Sequence, residues 1–161
     1  MRSILREKSQ DYFTILQHDS SEWLSFWRNY CFENKEFMSG YLRTLELDDI
    51  RIKRIFENTG RPSLDRIRQK NDEIKHLKQK AAKALNEASE ELELSKEDFV
   101  IYLIGALGIK EVVTFESKER LIILIDIVSL CQNNKIEQLE EIVLFSAKEA
   151  RKILNQKQEV S

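Results

Sequence analysis

The stretch FVIYLIGALGIKEVVTFESKERLIILIDIVSL, from Phe99 to Leu130, decides the fold class of this chain. It contains three segments rich in β-branched and aromatic residues, a composition typical of strands. Gly105 and Gly108 separate the first segment from the second. The SKER sequence at 117–120 predicts a hairpin turn before the third, although it lacks the usual Asn-Gly pair. The third segment is a continuous apolar run, which predicts a strand buried on both faces.

Residues 1–95 instead carry apolar side chains at helical spacing. Apolar residues at loosely helical spacing predict a first helix, namely Ile4, Leu5, Phe13, Ile15 and Leu16. Residues at spacings of three and four predict a second helix with an aromatic stripe in the core, namely Trp23, Phe26, Trp27, Tyr30 and Cys31. A short helix should follow and stop at Gly60. From Ser63 to Ser95 no glycine or proline interrupts the pattern, which predicts one long central helix of about 50 Å that begins near Pro62.

A C-terminal helix, LEEIVLFSAKEARKILNQ, is predicted from Leu139 to Gln156, after a loop at CQNNK. We expect its buried side to pack on the LIILIDIV strand and to contain Ile142, Val143, Phe145, Ala150, Ile153 and Leu154. Lys148, Arg151 and Lys152 should then face solvent. Helices, about three strands and a last helix form an α+β pattern. We therefore expect one domain over 1–161, with a helical subregion 1–95 and a strand-helix subregion 96–161.

The composition excludes several classes of protein. The chain is 42% hydrophobic and 34% charged, which indicates a folded protein rather than a disordered one. The net charge of −2 gives no overall attraction to nucleic acids or anionic membranes. The longest apolar run is too short to span a bilayer and includes Asp126, and no signal peptide is evident, so we expect a cytoplasmic protein without membrane contact.

A basic segment at 51–83 has 11 Lys and Arg against 4 Asp and Glu. It could lie along phosphates as a nucleic-acid-binding module, or be an ordinary solvated helix face. It lacks interleaved aromatic residues and matches no nucleic-acid-binding signature, which favours weak binding at most. The residues that would form the patch are Arg51, Lys53, Arg54, Arg66, Arg68, Lys75 and Lys78.

The sequence offers few residues for catalysis. His18 and His76 lie in different predicted helices, and neither has a second histidine at ligand spacing. Cys31 and Cys131 form no Cys-x-x-Cys motif, and two buried, reduced thiols are the simplest interpretation. Neither a phosphate-binding glycine loop nor a Gly-x-Ser-x-Gly turn is present. We therefore expect no enzyme activity, metal or cofactor.

The order of elements in the C-terminal half resembles the core of a bacterial family of zincin-like predicted zinc metalloproteases. The matching stretches are FVIYLIGALGIKEVVTF, SKERLIILIDIVS and LEEIVLFSAKEARK. The resemblance implies that Lys148 and Lys152 occupy the two histidine positions of a His-Glu-x-x-His site and that Glu149 occupies the general-base position. Lysine ammonium groups offer zinc no lone pair and would repel it. The family's third ligand would lie downstream, where this chain ends at Ser161.

Two main functions follow from these observations, beside the less favoured one of a hydrolase with an unconventional site. The first is a non-catalytic, degenerate zincin-like protein that binds or scaffolds a protein partner, or associates with itself. The alternative is a nucleic-acid-binding module that uses the 51–83 segment. If the resemblance has no basis in ancestry, Lys148, Glu149 and Lys152 belong to an ordinary helix face, with Glu149 and Lys152 as an i,i+3 pair.

Overall fold

In a computed structural model, which describes residues 4–93, 95 and 97–160, a four-stranded mixed sheet organises the chain. The strands are β1 (Leu5–Lys8), β2 (Phe99–Ile104), β3 (Val112–Ser117) and β4 (Arg120–Asp126). Their order across the sheet is β1-β2-β4-β3. The first three in this order run parallel, and β3 is antiparallel to β4 at one edge.

Seven α-helices surround this sheet in the described residues. They are α1 (Gln10–Leu16), α2 (Trp23–Glu33), α3 (Lys35–Thr44), α4 (Asp49–Gln69), α5 (Asn71–Glu91), α6 (Ile127–Gln132) and α7 (Leu139–Val160). Single 3-10 turns precede α2 and α7, at Ser20–Glu22 and Ile136–Gln138. The α+β class, the helical N-terminal half and the C-terminal helix predicted from the sequence are confirmed. None of the helices in the described residues is long and apolar enough to cross a membrane.

The two faces of the sheet are covered by different helices. On one face α3 lies against β2 and β3, where Phe37 stacks on Tyr102 with 4.5 Å between the ring centroids. A Cβ atom on Gly40 would meet the Phe115 ring at 2.2 Å, so only glycine allows α3 to approach β3 this closely. On the other face α7 crosses β2 and β4, and α5 packs along α7. Every residue of β2 is buried, although burial on both faces was predicted only for the segment that forms β4.

The aromatic stripe of α2 belongs to the core, as predicted. Trp23, Trp27 and Tyr30 are at most 5% exposed, whereas Phe26 and Cys31 of the predicted stripe are only partly buried. The ring of Trp27 contacts Phe56 of α4 and Tyr12 of α1 in edge-on geometry, with centroids 5.8 and 5.9 Å apart. This cluster joins three helices and leaves the stripe unavailable as a ligand platform.

The first predicted helix is confirmed in its second half, as α1, but the prediction is wrong for the residues that precede Ser9. Leu5–Lys8 is a strand that pairs in parallel with Ile101–Ile104. A short apolar segment cannot be assigned by periodicity, because the hydrogen bonds that make it a strand come from residues almost a hundred positions away. As a result, the sheet has four strands, and the helices α1–α5 connect two neighbouring parallel strands.

A long central helix is confirmed, but its predicted extent from Ser63 to Ser95 is wrong, as is the predicted stop at Gly60. Instead α4 continues through Gly60 and Pro62 to Gln69, and α5 begins at Asn71. Gly60 lies under Trp23, whose ring would be 2.5 Å from an added Cβ atom, so this glycine serves close packing. Pro62 removes one backbone hydrogen bond without ending the helix. Each 21-residue helix is therefore about 30 Å long.

The apolar run that begins at Leu121 was predicted as one strand followed by a loop, but it changes structure at Asp126. There β4 ends and α6 begins, with Ile127 to Gln132 in the helix. The predicted hairpin turn before β4 is confirmed. Its central residues Lys118 and Glu119 adopt φ values of 51° and 64°, the left-handed conformation that a two-residue turn between twisted strands needs.

Candidate functional site

The buried apolar stripe of the C-terminal helix α7 is narrower than we expected. Val143, Ala147 and Ala150 are at most 1% exposed. Phe145 was predicted to be buried with them, but it is 65% exposed, so that prediction is wrong. An α-helix turns by about 100° per residue, which places Phe145 about 200° from Val143. The helix thus turns one large aromatic side chain away from the packed core.

Phe145 lies in a groove between α7 and the edge of the sheet, with a volume of about 620 Å³. The groove is formed by one side of α7 and by side chains of β3 and β4 on the same face of the sheet. The residues that line it are Glu111, Val112, Thr114, Ile123, Glu141, Ile142, Phe145, Ser146, Glu149, Ala150 and Ile153. Exposed aromatic surface in a concave site is typical of a contact for another molecule.

The strand that borders the groove has one open side. The amide of Asp126 donates to the carbonyl of Glu111 at 2.9 Å, so these two residues form a hydrogen-bonded pair. With the register of β3 and β4, the next hydrogen-bonded pairs are Val113 with Leu124 and Phe115 with Ile122. Because bonded and non-bonded residues alternate in an antiparallel pair, Val112, Thr114 and Glu116 direct their backbone N–H and C=O groups away from β4. In the described part of the chain no strand pairs with this side. Thr114 and Glu116 are exposed.

Carboxylates border the groove. Glu111, Glu141 and Glu149 are among its lining residues, and the described lining includes no lysine or arginine. Two of the three are partly neutralised by nearby cations, since Lys135 lies 3.0 Å from Glu111 and Lys152 lies 3.2 Å from Glu149. The hydrogen bonds from Lys135 and Asn133 hold the pKa of Glu111 below its usual value. The groove therefore combines an apolar floor with negative charge.

The three positions singled out on α7 do not converge on one point. Lys148 and Lys152 are exposed and lie outside the groove lining, whereas Glu149 is half-buried and belongs to it. Lys152 donates to the carboxylate of Glu149 at 3.2 Å. The two lysines predicted to face solvent do so, and Arg151 is partly covered near Glu93, at 3.7 Å. The geometry is that of a charged helix face beside a groove.

The basic residues of the 51–83 segment lie on two helices rather than on one. Arg51, Lys53, Arg54, Arg66, Arg68 and Lys75 are exposed on α4 and α5. Lys78 has only 12% of its side chain exposed, and it lies 3.1 Å from Glu7 and 2.6 Å from the hydroxyl of Ser9. Lys78 therefore connects α5 to β1, and its charge is used inside the protein.

The histidines and cysteines do not form a reactive centre. His18 is exposed and stacks on Phe26 with 4.2 Å between the ring centroids, and His76 is exposed on α5. Both thiols are free, and burial raises the pKa of Cys31 to about 12 and of Cys131 to about 11, so neither is a ready nucleophile. Within the described residues, no cluster of three or more His, Cys, Asp or Glu side chains could hold a metal ion.

The most strongly perturbed carboxylate is structural. Asp126 is 1% exposed and accepts hydrogen bonds from the amides of Ala106 (3.1 Å), Gly108 (2.9 Å) and Val128 (2.9 Å). It thereby caps α6 and holds the loop that crosses the end of β4 to reach β3. Burial raises its pKa to about 6, against the opposing effect of these N–H donors. Because this carboxylate is buried and accepts from three backbone amides, we assign it to the fold.

Comparisons with known proteins found no matching family model, curated protein or solved structure. The resemblance to zincin-like proteins therefore stays a prediction. The groove itself was not identified from the sequence, although two signals were present. Val112 and Thr114 alternate with buried residues, and Phe145 lies on the opposite side of α7 from Val143. That these two surfaces meet follows only from the tertiary structure.

Proposed function

We propose that this chain is a non-catalytic binding module that holds a segment of another protein in the groove between β3 and α7. The observation that carries the proposal is the position of Phe145. One of the largest exposed apolar side chains of the described residues lies in the groove, beside the open edge of β3. Aromatic anchors in concave sites supply much of the affinity of protein interfaces.

The chemistry of the groove indicates the composition of the partner. Apolar side chains of the partner would cover Ile142, Phe145 and Ile153, while the carboxylates of Glu111 and Glu141 favour lysine or arginine nearby. A second copy of this chain would bring the same carboxylates towards one another, which is unfavourable. We therefore infer a partner segment that is apolar and basic.

The zincin-like resemblance is compatible with this role but is not needed for it. If the ancestry is real, Glu149 keeps the general-base position beside the groove, while the two lysines that replace the zinc ligands lie outside the groove lining. Binding without hydrolysis would then be what remains of the ancestral function, because a lysine ammonium cannot coordinate the metal.

Selection from a random library of peptides of about 12 residues, displayed on phage, tests the proposed function. We expect enriched peptides to bind the wild-type protein and to bind the Phe145→Ala variant at least about tenfold more weakly. Phe32→Ala is the matched control, because Phe32 is 73% exposed but is not among the residues of the groove. This variant should bind like the wild type.

The same selection can overturn the proposal. If no peptide is enriched, or if the enriched peptides bind Phe145→Ala and wild-type protein equally, the groove is not the binding site. Tight DNA binding with a steep salt dependence that Arg66→Glu weakens would instead support the nucleic-acid alternative.

A further inference from the structure

We infer that the bound segment is an extended strand that adds to the open edge of β3 and pairs with Val112, Thr114 and Glu116. This inference rests on the proposed function, because it specifies how the groove holds its partner. The occupant is a basic peptide with alternating apolar side chains. It binds as a strand and not as a helix lying in the same groove.

The backbone of β3 supports an added strand. At the three alternate positions the N–H and C=O groups point to the open side, while the intervening residues bond to β4. Such an edge offers unpaired donors and acceptors at the spacing of another strand. The opposite face of β3 is fixed, because Phe115 packs against Gly40 of α3, so the edge is held in position before any partner arrives.

The side chains of β3 place the partner's own side chains in the groove. Residues directly opposite one another in a sheet project to the same face. Val112 and Thr114 line the groove, so partner residues opposite them would also point towards α7 and meet Phe145 and Ile142. Partner residues between these positions would face away from α7. The partner should therefore carry apolar residues at i, i+2 and i+4.

Charge complementarity sets the remaining feature of the partner. Glu111 immediately precedes β3, Glu141 lies on the first turn of α7, and both line the groove. Glu141 is exposed. A lysine or arginine beside the apolar positions would meet these groups. Raising the salt concentration should therefore weaken binding.

A substitution in the protein, at Thr114, tests whether the partner binds as a strand added to β3. Proline at this position removes an N–H group that points away from β4, so the ladder with β4 is retained, as at other edge strands that contain proline. We expect Thr114→Pro to fold, with a cooperative thermal transition, and to bind the selected peptide at least about tenfold more weakly. Thr114→Val keeps the N–H group and a similar shape, so its affinity for the peptide should exceed that of Thr114→Pro by at least about tenfold.

Methylation of single peptide nitrogens in the selected peptide gives an independent test that does not depend on the stability of a variant. Methylation at alternate residues should abolish binding, whereas methylation at the intervening residues should change it less than about threefold. Equal tolerance at all positions would overturn the strand mode. Apolar residues at spacings of three and four among the selected peptides would do so as well, and would indicate a helix.

The outcomes separate this inference from the proposed function. Peptides that need Phe145 but tolerate Thr114→Pro and backbone methylation would refute the added strand and leave the binding groove intact. Loss of all dependence on Phe145 would refute both. If the wild-type protein forms a dimer in sedimentation experiments while Phe145→Ala is a monomer, a second copy fills the groove, and the peptide occupant is wrong.

Discussion

Replacement of Asp126 by asparagine should reveal how strongly one buried carboxylate determines the stability of the fold. Asp126 accepts N–H groups from Ala106, Gly108 and Val128 with its two oxygens. Asparagine has one oxygen, so its amide NH2 group must face one of these donors. A buried donor without an acceptor costs about 1–3 kcal/mol, and we expect Asp126→Asn to lose about this amount at pH 4.

The same substitution should change how stability depends on pH. Burial raises the pKa of Asp126 from 3.8 to about 6 in the folded state. Between these values the folded protein keeps a proton that the unfolded chain has released, so the free energy of unfolding decreases as pH rises and is constant above the folded pKa. A difference of about two pKa units corresponds to about 3 kcal/mol. Asparagine does not titrate, so the deficit of Asp126→Asn should vanish or reverse by about pH 7.

Urea denaturation, followed by the fluorescence of the buried Trp23 and Trp27, measures this difference at a series of pH values. Glu87→Gln is the control, because it makes the same type of change at an exposed position on α5 and leaves Asp126 in place. A deficit of Asp126→Asn that grows as pH rises would refute the argument. It would mean that the three N–H donors outweigh burial and hold the pKa of Asp126 low.

Three further substitutions test the packing and the helix faces. Gly40→Ala should lower the free energy of unfolding by about 1–3 kcal/mol, since its methyl group would collide with the ring of Phe115, and chemical denaturation would show this. Phe145→Ala should lower it by less than about 1 kcal/mol, because the side chain is 65% exposed, and a loss of several kcal/mol would mean that the helix is turned the other way. The double variant Lys148→His with Lys152→His should melt like the parent, because both positions are exposed. It should acquire no protease activity, because both positions lie outside the groove lining. Thermal melts and peptide-cleavage assays with added zinc would check these two outcomes.

The sequence was sufficient for features that depend on local pattern. A continuous apolar run identified β4, because a strand covered on both faces needs apolar residues at every position. The β-branched and aromatic composition of the segment before Gly105 identified β2. Spacings of three and four identified α2 and α7, since one side of each helix must meet the core. The turn at Lys118 and Glu119 was also predicted correctly, from its position between two strand-like segments.

Local pattern was misleading where a distant contact decides the outcome. Gly60 and Pro62 suggested the end of one helix and the start of another, yet Gly60 is in a helix because Trp23 packs on it. Leu5–Lys8 is a strand only because β2 offers it hydrogen bonds. In each case tertiary packing or strand pairing outweighs the local conformational preference of the segment. For a glycine inside a helix, that preference opposes the helix by about 1 kcal/mol.

The candidate site also depends on contacts between residues that are distant in the sequence. Composition and motif searches drew attention to Lys148, Glu149 and Lys152, but only Glu149 lies in the groove. The groove exists because the sheet places β3 at an edge, across from the side of α7 that carries Phe145. The sequence determined that α7 is amphipathic and that β3 alternates. Only the tertiary structure decided that their exposed sides face each other, because strand order depends on contacts among all four strands rather than on the residues of any one.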